Sequence, residues 1–320
     1  MEDLYIPGNR NFNEETVRDN FTRLGWALGA FLLVAQGIAS LVMVLCRNAA
    51  EAGNAGMIRF LSSDWAIWII SDAATYLVGL PVFLLLIHGI PKAPKPRRKR
   101  VTGKQFGGLL LVSYAALYCG NLVGMVITTI IGALRGEPVV NPLEAVITDT
   151  NPWITILFAV IIAPVMEEIV FRGILLRRLT PFGEPIAILT SALVFGLFHA
   201  NIVQFPYAFL IGAVFAYTAI RTGSLVWTML IHAFLNFVGS VLSLFVMVSE
   251  NIAATALFGL FILAMVVGGI VIFAKHRHTL HFEPGRLPLT EGQKRELLWK
   301  NSGMIAFLVA SLVLMVITLI

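Results

Sequence analysis

Five side chains within or at the edge of apolar stretches set the chemical question: Glu167 and Glu168 in one, His199 at the end of a second, and His232 with Asn236 in a third. An ionisable group at the centre of a membrane helix costs about 2.5 to 3.5 kcal/mol, while each Leu, Ile, Phe or Val returns about 0.3 to 0.6. Groups kept at that cost are functional candidates, and their partners identify the function. Glu168 and Arg172 stand four residues apart, so they share a helix face and can pair, with the acid nearer the N-terminus as the better orientation requires. Glu167 projects about 100° away around the same helix and needs a partner from another helix, or a proton. His232 and Asn236 are also four apart and lie on one face. Pro164, one turn before Glu167, deletes a backbone hydrogen bond and predicts a kink.

Together these groups are the parts of an amide hydrolase. Glu167 is expected to take a proton from water, with His199 helping to orient and deprotonate it. His232 and Asn236 are expected to donate hydrogen bonds to the developing oxyanion, worth several kcal/mol in a water-poor site. Their depths agree. Measured from a cytoplasmic turn near residues 179–184, Glu167 and His199 lie roughly 18 and 22 Å deep at a helical rise of about 1.5 Å per residue. From a turn at Thr222 to Ser224, His232 and Asn236 lie roughly 12 and 18 Å deep.

The elements that must position them are membrane helices. The chain of 320 residues is 58% hydrophobic and 13% charged, with a mean hydropathy of +0.85; soluble domains hold about 45 to 50% apolar residues. Continuous apolar runs, rather than alternating ones, disfavour a β-barrel. Runs near 24–46, 65–90, 106–134, 153–178, 185–200, 205–220, 225–248, 253–274 and 302–320 predict an all-α polytopic bundle of about eight to nine transmembrane helices. The runs at 185–200 and 205–220 are short of the usual length of about 20 residues, so tilted, partial or internal helices are expected there.

Lys and Arg placement fixes the expected orientation. With the N-terminus in the cytoplasm, all of the 23 Lys and Arg residues fall on the inner side except Arg47, Arg59 and Arg135, outside, and Arg172, within a span. Between Pro91 and Gln105 seven basic residues occur without one acid; they read as a topology determinant, or as a site for anionic lipid or an acidic partner tail. The net charge of +5 therefore reports topology and implies no nucleic acid. The polar, mixed-charge start is unlike a signal peptide, so the first helix is expected to be retained.

The chain divides into a cytoplasmic N-terminal segment 1–23, N-terminal transmembrane helices within 24–148 carrying the basic loop 91–105, a catalytic core 149–248 of helices four to seven, and C-terminal helices 249–320 with a cytoplasmic linker 275–301. His276, His278 and His281 in that linker read as solvated residues among Lys275 and Arg277 rather than as a metal site. Cys46 and Cys119 read as buried free thiols, and Asn121 as an interhelical hydrogen-bonding residue. Asp72, in the second span, either joins the polar pocket or faces a water-filled crevice or other polar partner.

EEIVFR at 167–172, FGLFH at 195–199 and HAFLN at 232–236 match, in order, the EExxxR, FxxxH and HxxxN motifs of the CAAX-protease and bacteriocin-processing (CPBP) family, which includes the CAAX prenyl endopeptidases. Arg221 to Leu225 also resembles that family's approach to its third motif, and the resemblance covers about residues 150–240. It implies a membrane-embedded endopeptidase in which Glu167 and His199 activate water, His232 and Asn236 line the oxyanion site, and Glu168, Arg172 and Phe195 support them. It further implies a multi-pass protein of a bacterial plasma membrane, membrane proteins, peptides and lipids as partners, and peptide processing, bacteriocin immunity or regulated cleavage as biological settings.

Rival readings use the same residues. A zinc protease would draw on Glu167, His199 and His232 as three ligands with one open position; the missing HExxH helix and the nearby Arg172 speak against it, and the hydrolytic reading needs no cofactor. A transporter would use the buried ionisable residues as a path, but neither repeats nor paired broken helices are evident. A non-catalytic immunity or scaffold protein would keep the pocket for binding alone.

Overall fold

The computed structural model describes residues 13–319, so positions 1–12 of the expected N-terminal segment lie outside the described residues. The chain is all-α, and its apolar helices are numbered α1 (Glu14–Glu51), α2 (Ala66–Leu86), α3 (Gly103–Arg135), α4 (Pro152–Phe182), α5 (Glu184–Phe198), α6 (Phe205–Thr222), α7 (Val226–Val248), α8 (Ile252–His276) and α9 (Ser302–Ile317). Among the described residues seven helices are long and apolar enough to cross a membrane, or eight if α9 and the helix Glu291–Trp299, bent by 59° to it, are one span. Of the two helices expected to fall short, α5, with 15 residues, does, whereas α6, with 18, is long enough to cross.

Helix starts follow from side-chain caps. Asn13, Asn151, Asn251 and Asn301 each accept from backbone N–H groups of the first turn of α1, α4, α8 and α9, and Thr102 with Gln105 forms a capping box for α3. α1 reaches back to Glu14, through residues expected to be a polar tail, because Asn13 supplies the cap and Val17 and Phe21 are fully buried.

The bundle has an inside and an outside. Half of the most apolar window of α6 and 44% of that of α4 is buried, against 6% of that of α8, so α4 and α6 form the interior and α8 faces lipid. α1 packs on α9 and α2, α5 on α6, and α6 on α3. Gly25 and Gly303 let the first and last spans approach backbone to backbone, since a Cβ on either would overlap the other helix's main chain. The free Cys119 is exposed and Cys46 partly so, and Asn121 is exposed too. Lipid rather than protein covers those faces, which corrects the expectation of buried thiols and of an interhelical bond at Asn121.

Two connections cap one end of the core. In the basic loop, Ala93 N–H donates to Arg177 O at 2.8 Å and Lys99 N–H to Thr222 O at 2.8 Å, while Lys95 to Arg100 stay exposed. Gly223, at φ 64°, ends α6 in a left-handed turn against the backbone of Arg97, where a Cβ would collide. The linker 275–301 is not uniformly solvated. His276, His278 and His281 are exposed, but Arg286 N–H donates to Pro181 O at 2.9 Å, and Leu287, Leu297 and Leu298 are buried. Those three leucines give an otherwise polar segment an apolar face to dock.

Candidate active site

α4 is the helix that carries the acids, and it is not regularly wound. π-helical turns occupy Ile156–Ile162 and Glu168–Leu175, on either side of Pro164 and Glu167; a third run, Phe237–Leu242, follows Asn236 in α7. The proline explains one consequence. In the wide turn Ala163 N–H bonds to Phe158 O, five residues back, so Ala159 O would be the next acceptor for residue 164, which has no N–H to give. Asn236 Nδ2 fills that vacancy, donating to Ala159 O at 2.8 Å and locking α7 to α4.

With the two helices so registered, His232, one turn before Asn236, falls between the glutamates. Its Nδ1 lies 3.3 Å from Glu168 Oε1 and its Nε2 lies 3.7 Å from Glu167 Oε2. Glu168 is fully buried and also receives Arg172 Nη1 at 2.9 Å, the i,i+4 pair that the sequence predicted. Arg172 Nη2 donates to Gly212 O at 3.3 Å, and its guanidinium lies over the Phe195 ring at 4.2 Å and near the Phe215 ring at 5.3 Å. Two planar faces replace the water such a cation would otherwise demand.

Phe195 is the hub. Its ring meets His199 edge-to-face at 4.9 Å and His232 at 6.0 Å, while His199 Nδ1 pairs with Phe195 O at 2.8 Å. A ring that donates from Nδ1 leaves Nε2 as an acceptor. Among the described residues Glu167, Glu168, Arg172, Phe195 and His232 are joined by direct contacts, with His199 on the other side of Phe195. Glu167 makes its ion-pair contact with His232, whereas His199 makes none with either glutamate. Asn236 stands one turn farther along α7.

The sequence reading missed several neighbours. Thr228, fully buried and one turn before His232 on the same face, sits beside Glu168; its i−4 spacing from His232 was the available signal. Phe215, on α6, lies with its ring 5.2 Å from the His232 ring and tilted by 39° to it. Tyr76 of α2 and Tyr207 of α6, also missed, lie within electrostatic range of Glu167, as does Asp72 of α2, which the sequence raises as a candidate for the pocket. Glu167 Oε2 and Glu168 Oε2 are buried without a hydrogen-bond partner, so each has acceptor capacity left. No three His, Cys, Asp or Glu side chains converge as a metal ion would need among the described residues. The ligand set Glu167, His199 and His232 is thus not assembled, and no step below is routed through a metal.

Human CAAX prenyl protease 2 is 34% identical over 100 residues, covering 25% of this chain and 30% of that protein, so the chain spans about a third of the relative's length. No solved structure matches the chain. Every residue of the three motifs lies within the stretch 149–238, which matches the model of the Type II CAAX prenyl endopeptidase Rce1-like family.

Proposed function

We propose that this chain is an intramembrane endopeptidase that hydrolyses peptide bonds of membrane-associated or lipid-modified proteins and peptides, without a metal. One observation carries the proposal: a buried Arg172–Glu168–His232–Glu167 relay that ends on a carboxylate oxygen with no hydrogen-bond partner. A purely structural relay would end on a satisfied group.

In this reading water lies between Glu167 and the open nitrogen of His199. Glu167 takes one proton as the water oxygen bonds to the scissile carbonyl carbon, and the carbonyl oxygen becomes an oxyanion. His232, carrying protons on both ring nitrogens while Glu168 holds Nδ1, donates to that oxyanion. Asn236 contributes the amide N–H that Ala159 does not use. Collapse breaks the C–N bond and returns the proton from Glu167 to the leaving amine. Arg172 keeps Glu168 available to orient the imidazole, the part a carboxylate plays in a histidine-based triad.

The remaining assignments are part of the same proposal. The N-terminus lies in the cytoplasm, on the strength of the basic loop 91–105, and the membrane is a bacterial plasma membrane, on the motif resemblance alone; residues 149–248 form the catalytic core between flanking helices; and substrates enter from the bilayer. Comparative proteomics of membrane fractions containing wild-type or Glu167→Gln protein tests the activity. A fragment pair present only with the wild type is the expected result. Identical fragment patterns, with a phenotype nonetheless lost in the variant, would transfer the pocket to a binding role. Full activity after chelation, with no bound zinc by elemental analysis, is expected of the metal-free chemistry.

A further inference from the structure

Asp72 is a carboxylate within a membrane helix, outside the stretch that matches the family, and its Oδ2 is buried with no hydrogen-bond partner. A group that costly needs an account. α2 and α4 run the same way through the bundle and are pinned near their outer ends: Trp65 and Trp68 pack on Phe158 with ring centroids 6.0 and 5.8 Å away, and Trp68 Nε1 donates to Thr150 Oγ1 at 3.3 Å. From that anchor, Tyr76 lies about 12 Å along α2 and Glu167 about 13.5 Å along α4, so the two are level, with Asp72 one turn above. Asp72 and Tyr76, four apart, share a face. A π-helical run begins at Ala73, immediately after Asp72.

We infer that α2 completes the site, with Asp72 and Tyr76 as positioning residues that hold Glu167 and its water through the phenol hydroxyl and the second carboxyl group. This rests on the protease reading above. The groups that bear on Glu167 are then Asp72 and Tyr76 from α2, Tyr207 from α6, His232 from α7, and Glu168 and Arg172 of its own helix. Glu167 Oε2 is buried with no hydrogen-bond partner at all, and the hydroxyl of Tyr76, level with it, is the donor assigned to it in this inference. Asp72 supplies an acceptor that turns the water's second hydrogen away from the scissile carbonyl.

Asp72→Asn, Asp72→Glu and Tyr76→Phe, purified in the full chain beside Glu167→Gln, test the inference by turnover of a membrane-anchored peptide across pH. Asp72→Asn and Tyr76→Phe are expected to lower kcat about ten-fold or more at nearly unchanged KM, and to displace one limb of the pH profile. Asp72→Glu should recover part of the rate, and all should unfold at the wild-type temperature. Wild-type kcat and pH profile in both variants, while Glu167→Gln is inactive, would overturn the inference and leave the protease standing. If the wild type cleaves nothing, infrared difference spectra decide. A carboxyl band of Asp72 that shifts in Glu167→Gln sustains the coupling, and an unshifted band overturns it.

Discussion

Among the described residues two buried glutamates, Glu184 and Glu168, are each paired with an arginine, and the two pairs are built to opposite ends. At one end of the bundle, Glu184 Oε2 receives both Arg221 and the Glu283 N–H at 2.8 Å, and Glu184 N–H donates to Glu283 O at 3.0 Å, so the linker is stitched to the start of α5. In the interior, Glu168 pairs with Arg172 within one helix, but its Oε1 is shared with His232 and its Oε2 is left over. One carboxylate is used up in joining elements. The other passes a hydrogen bond on to an imidazole that faces a second acid. Identical residue types thus join two segments in one place and meet an imidazole in the other, and the difference lies in what the carboxylate touches beyond its arginine.

Replacing one partner of each pair should separate these roles. Arg172→Met leaves Glu168 without its cation in a fully buried place, and removal of one member of a buried pair costs about 3 to 5 kcal/mol. Thermal unfolding in detergent should show that loss, along with lost turnover; a variant as stable as wild type would mean that Glu168 does not depend on Arg172. A smaller effect is expected for Asn236→Leu. It orphans Ala159 O, worth about 1 to 3 kcal/mol, and removes the proposed oxyanion donor, so kcat should fall more than stability alone explains. Normal turnover in that variant would reduce Asn236 to a helix clamp. The least is expected of Glu184→Gln: about 1 to 2 kcal/mol from charge-assisted bonds to Arg221 and the linker, faster proteolysis of 275–301, and unchanged kcat. A large fall in kcat there would tie the linker to the chemistry.

Much of this architecture is legible in the sequence. Apolar run length places all nine helices, and the spacing of Glu168 and Arg172 yields their contact, because both depend only on helical rise and periodicity. Which imidazole meets Glu167 is not legible in that way. Matching depths cannot distinguish His199 from His232; the rotation of α7 on α4 does, and that rotation depends on wide turns and on a carbonyl freed by Pro164. Tyr76 was hidden, and the choice between pocket and crevice for Asp72 left open, for a related reason, since only the packing of Trp65 and Trp68 on Phe158 sets the register of α2. The docked part of the linker escaped notice because three leucines in a polar stretch carry no periodic signal.

The central claim is that Glu167 activates water in a site organised by Glu168 and His232. Its most direct test is single-turnover cleavage of a membrane-anchored peptide by chelator-treated wild-type and Glu167→Gln protein in the same lipid, with equal peptide binding verified first. A rate lower by about 10² to 10⁴-fold in the variant, at unchanged binding, is the predicted result. Equal rates would contradict it.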